Sequence, residues 1–138
     1  MGSARTHPHI DNPSVEQLRD VLEDWDEPVR ELCVEAHRLV VEALPDVVCA
    51  LDRQDGEMGY GARQYGYDGW GMAAVTPYSK WVTVAFLRGT KLDDPHGVLE
   101  GAGKTIRHVK LRSREQLEER RGALRDLLIA ASKLNQRS

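Results

Sequence analysis

A chain of 138 residues, 41% of them hydrophobic, is long enough to bury a core without staples and too apolar to be disordered by composition. No run approaches the ~20 apolar residues of a membrane span, and the N-terminus lacks an apolar signal core. The net charge of −3 is uneven: residues 1–51 carry 4 basic and 11 acidic side chains, residues 104–138 carry 10 and 4. Charge opposed in this way favours docking of acidic early helices on a basic late one, and excludes the overall positive field of a general nucleic-acid binder. Cys33 and Cys49 have no C-x-x-C spacing and read as small apolar residues of a chain in a reducing cytoplasm.

In chain order, residues 1–12 are polar and irregular, with His7 and His9 among them, and read as a flexible tail ahead of a single domain over 13–138. Ser14 and Gln17 have the spacing of a capping box that starts a first helix, with Val15, Leu18, Val21, Leu22 and Trp25 as its apolar stripe. Asp26-Glu27-Pro28 starts a second helix, with Asp26 as the cap, which runs to about Leu44 and ends at Pro45. A valine-rich strand is expected over Asp46–Leu51. Residues 55–71 hold six glycines, three tyrosines and one tryptophan, a density that excludes a helix and predicts a hairpin and loop with one irregular strand around Met58–Tyr65.

Trp70–Thr76 reads as a strand, Pro77-Tyr78-Ser79-Lys80 as a turn, and Trp81–Leu87 as the returning strand, apolar on both parities and therefore central. Asp94-Pro95-His96-Gly97 is a further turn. In Ile106–Arg112 the parities separate: Val109 and Leu111 face one way, His108, Lys110 and Arg112 the other, giving one buried face and one wet, cationic face. Ser113 and Gln116 again have the spacing of a capping box, which starts a last helix that reaches about Leu134. Strands grouped between helices predict an α+β fold: a single antiparallel sheet of about 4–5 strands packed on one face against the N-terminal and C-terminal helices.

The run Gly89–Ser113, GTKLDDPHGVLEGAGKTIRHVKLRS, resembles the signature of the YdhG-like family (domain of unknown function 1801), with similar features from about Pro28 to Leu134 and Val98 where that family usually has Leu. The resemblance implies a small intracellular α+β domain. Some members are described as frataxin-like iron chaperones, so iron is the one cofactor or cargo it brings into view.

Gly101-Ala102-Gly103-Lys104-Thr105 is not a nucleotide-binding phosphate loop, because Val98 stands where G-x-x-x-x-G-K-[ST] requires its first glycine and a strand follows. Gly101 and Gly103 permit a looser nest of backbone N–H groups. Beside them Lys104, Arg107, His108 and Lys110 are expected to receive anions, with Tyr60, Tyr78 and Trp81 as apolar or stacking walls. The competing expectation is that these cations pair with Glu100, Asp93, Asp94 or the acidic helices.

The leading expectation is therefore a non-enzymatic binding domain, monomer or homodimer, whose partner is an anionic small molecule or an acidic protein surface and not a nucleic acid. The first alternative is iron handling by Glu27, Glu31 and Glu35, spaced four apart on one helix face, since hard cations bind clustered carboxylates. The second is an enzyme with His108 as general acid or base.

Overall fold

The computed structural model describes residues 8–62, 64–67 and 71–134. The capping box forms as the spacing predicts: the Gln17 N–H donates to the Ser14 hydroxyl, the Ser14 N–H donates to Gln17 Oε1, and α1 (Val15–Val21) follows. Asp26 precedes α2 (Glu27–Ala43) without a side-chain capping bond, so Pro28 in the first turn is the start signal that acts there. The α2 residues Val29, Leu32, Cys33, Val34, Ala36, His37, Leu39 and Val40 are buried, the wide stripe of a helix lying flat on a sheet. At the far end the Ser113 hydroxyl accepts the Gln116 N–H and starts α3 (Arg114–Lys133), but the Gln116 side chain accepts the Arg112 N–H in place of the Ser113 N–H, so the expected box is half formed.

Six antiparallel strands lie side by side in chain order: β1 (His9–Asp11), β2 (Cys49–Asp52), β3 (Met58–Tyr60), β4 (Ala73–Pro77), β5 (Val82–Phe86) and β6 (Arg107–Leu111). The fold is the expected α+β layer with a somewhat larger sheet. The added strand is β1, which the sequence reading had placed in a flexible tail. His9 pairs with Asp52 and Asp11 with Ala50, and the Arg53 N–H reaches Pro8 O, so the segment is tied down from residue 8 onward. Asn12 turns the chain out of this strand in the left-handed region (φ 47), with its Oδ1 accepting the Cys49 N–H. His7 and Trp70 lie outside the described residues.

Register decides which side chains meet the helices. Leu51, Met58, Val75, Val84 and Val109 are opposite one another across β2 to β6 and all are buried, as are Val82 and Leu111 in the next row. This is the face that α2 covers at β4 and β5 and α3 at β6. Phe86, on the same face, has no exposed surface, so truncating it to alanine would cost roughly 3–5 kcal/mol. The opposite parity carries Ala50, Gly59, Ala74, Ala85 and His108 in one row and Thr76, Thr83 and Lys110 in another. The charge asymmetry is resolved where α2 meets α3: Arg121 lies 3.5 Å from Glu42, and Arg114 lies 4.0 Å from Glu35.

Candidate functional site

The connection from β5 to β6 is folded by side chains of the Gly89–Ser113 run. Gly89 begins a single 3-10 turn (Gly89–Lys91) pressed against β6; a Cβ there would lie 2.5 Å from Arg107 Cβ and 2.7 Å from its nitrogen. Thr90 ties this turn to the loop, its N–H donating to Thr105 O and its hydroxyl to Lys104 O. The Asp94 carboxylate accepts the N–H groups of Val98 and Leu99, closing the turn through Pro95 and Gly97. Glu100 then pairs with His108 through both backbone bonds, and Gly101 leaves that bridge at φ 125, a value that L side chains rarely adopt.

This geometry corrects two expectations. Gly103 does not adopt a positive φ, and the Arg107 Nη1 donates to Gly103 O at 2.7 Å and Ile106 O at 2.8 Å. The loop thus turns carbonyl oxygens toward a guanidinium, the opposite polarity to a nest of N–H groups that would hold an anion. Arg107 is a loop clasp before it is a ligand group.

Tyr60 is also displaced from the proposed wall. It is opposite Cys49 and Ala73 on the helix-covered face and has no exposed surface. Its hydroxyl lies 2.8 Å from His37 Nδ1, and the two rings stack at 5.8 Å. Burial holds the His37 imidazole below its ordinary value, with the nearby Arg38 adding to the shift, and pushes the Tyr60 phenol well above its own. Cys33, on the same buried helix face, is pushed up to about 12 by desolvation and is an inert thiol. His37 was not assigned a role from sequence, although its position four residues after Cys33 places it on the stripe that α2 buries.

Of the remaining candidates, Lys110, Trp81 and Tyr78 come together. Lys110 and His108 project from the face of β6 away from the helices, both half-buried, and Lys104 stands exposed in the adjoining loop. The Lys110 Nζ lies 4.5 Å from the centre of the Trp81 ring, and Tyr78 stacks on Trp81 at 5.5 Å with an interplanar angle of 24°. The hairpin bond from the Tyr78 N–H to Trp81 O fixes both rings at the start of β5. Among the described residues no carboxylate comes within 4.0 Å of Lys104, Arg107, His108 or Lys110. Among the described residues, then, the internal pairing of the competing expectation does not form. Among the described residues no side-chain hydrogen bond orients the His108 imidazole.

The outer edge of β6 is closed to strand addition. Glu100 occupies the backbone groups of His108, the Arg120 guanidinium donates to Lys110 O at 2.6 Å, and Gln116 Oε1 accepts the Arg112 N–H. Four grooves lined by described residues lie elsewhere.

The α2 carboxylates are engaged differently from an open cation site. Glu31 accepts two hydrogen bonds from Arg19, at 2.8 and 3.0 Å, which hold its carboxyl below the usual range, and Glu35 accepts from Arg38 at 2.8 Å. Among the described residues no three His, Cys, Asp or Glu side chains converge. A ferrous ion on Glu27, Glu31 and Glu35 would have to displace both arginines. No protein-family model, curated protein or solved structure matches the chain.

Proposed function

We propose that this chain is a small, non-enzymatic binding domain of the YdhG-like kind, and that the β5–β6 face docks an acidic protein surface. The observation that carries this reading is a pair of cations, Lys104 and Lys110, with no carboxylate partner among the described residues, with Lys110 beside His108 on the sheet face opposite the helices. The stacked Tyr78 and Trp81 beside Lys110 suit a protein surface, where aromatic rings supply contact area. Tyr78, 44% exposed, supplies the amphipathic contact area typical of interfaces. In the Gly89–Ser113 run, Gly89, Asp94, Gly101 and Arg107 each perform a folding task in the loop that leads into β6.

The test is an amide NMR titration with a peptide rich in Asp and Glu. Shifts should concentrate on β5, β6 and Lys104, weaken with added salt, and require about tenfold more peptide in the Lys104→Ala/Lys110→Ala variant. Shifts scattered over the surface, or the same affinity in that variant, would overturn the reading.

A further inference from the structure

A second place in the molecule has the form of a small-ligand site, and its lining includes none of Tyr78, Trp81, Lys104, His108 and Lys110. Between the first turn of α2 and the junction of β6 with α3 lies a groove of about 400 Å³, within the roughly 300–1,000 Å³ usual for small-molecule sites. Three cations from three separate elements line it: Lys80 from the β4–β5 turn, Arg112 from the end of β6, and Arg114 from the start of α3. Val29 and Leu32 supply apolar lining.

Charge within the groove is unbalanced. Glu31 is neutralised by its paired hydrogen bonds to Arg19, which leaves Glu27 as the one carboxylate there not held by an arginine among the described residues. No described carboxylate lies within 4.0 Å of Lys80 or Arg112, and Arg114 reaches Glu35 only at 4.0 Å. With Arg114 shared with Glu35, Lys80 and Arg112 against Glu27 leave a surplus of about one to two positive charges, which suits an anion such as a phosphate monoester. The surplus comes from side chains, since the Ser113 hydroxyl already satisfies the Gln116 N–H at the start of α3. Arginine forks also suit the geometry of phosphate oxygens.

We infer that this groove binds a small phosphate monoester, with the phosphate on Arg112, Arg114 and Lys80 and the organic part against Val29 and Leu32. The site stands independently of the acidic-partner reading, since it uses neither Lys104 nor Lys110.

Calorimetry with phenyl phosphate, inorganic phosphate and benzoate on the full chain tests it, with amide shifts locating the site. Phenyl phosphate should saturate, perturb residues 27–32 and 112–114, and bind about tenfold more tightly than either other probe. Arg112→Ala/Arg114→Ala, two exposed side chains whose loss leaves the core intact, should weaken it about tenfold or more, while Lys104→Ala/Lys110→Ala should leave it unchanged. Failure of phenyl phosphate to saturate would overturn the inference. Equal binding of inorganic phosphate would reduce the site to an adventitious ion only. Equal binding of benzoate would contradict the charge match, and an unaffected arginine double variant would place the ligand elsewhere.

Discussion

The Lys110 ammonium stands 4.5 Å over the Trp81 ring, and this one contact fixes a cation on the uncovered face of the sheet. A cation on an indole face is held by the ring quadrupole without losing its charge, so it stays available to an acidic partner. Lys110→Met should cost about 0.5–1 kcal/mol in urea unfolding, and Lys110→Arg should recover most of it. Equal stability of all three proteins would mean that the contact contributes nothing.

The two glycines of the loop should separate cleanly. Gly101→Ala forces a Cβ onto a φ of 125 and should destabilise by about 1–2 kcal/mol, whereas Gly103, with nothing nearer than 3.8 Å to its missing Cβ, should accept alanine at nearly no cost. Gly89→Ala should exceed both, because its methyl would meet the β6 backbone at 2.7 Å. Chemical denaturation of the three variants checks the order, and a Gly103→Ala variant as damaged as the Gly101→Ala variant would contradict the loop geometry.

The buried His37–Tyr60 pair predicts a pH dependence. Burial lowers the folded pKa of His37, so between its unfolded value of about 6.5 and its lower folded value the unfolded chain binds more protons than the folded one. Stability contributed by neutral His37 is therefore present above about pH 6.5 and lost as the pH falls through that window. The drop in stability from neutral to mildly acidic pH should be smaller in His37→Gln, which keeps a hydrogen-bonding group for Tyr60 but does not titrate. A parallel pH dependence in the two proteins would refute the assignment. Independently, Tyr60→Phe should cost about 1–3 kcal/mol by leaving His37 Nδ1 without a partner.

Several features were legible in the sequence because they are local. The Ser14/Gln17 box, the Ser113 start, the Pro95–Gly97 turn and the split parity of β6 depend on neighbours within a few residues, and each forms. β1 was not legible: three residues, His9–Asp11, are too few to show alternation, and their pairing with β2 reaches some forty positions along the chain. Among its described residues the glycine-rich segment gave only the short β3, which stops where Gly61 takes φ 74.

The candidate site divides in the same way. That Lys110 points to the uncovered face follows from period-two alternation, but that Arg107 turns to carbonyl oxygens and Tyr60 into the core depends on tertiary register. Lys80, Arg112 and Arg114 share a groove only because the β4–β5 turn lies beside the end of β6, a proximity no spacing reveals. No helix among the described residues is long and apolar enough to cross a membrane.

The most direct measurement is the indole N–H resonance of Trp81 during titration with an Asp/Glu-rich peptide at low and high salt. A saturable shift that fades at high salt and disappears in Lys110→Ala is the result expected of a face whose cations await an acidic partner. An indole signal that stays fixed while the peptide binds elsewhere would contradict it.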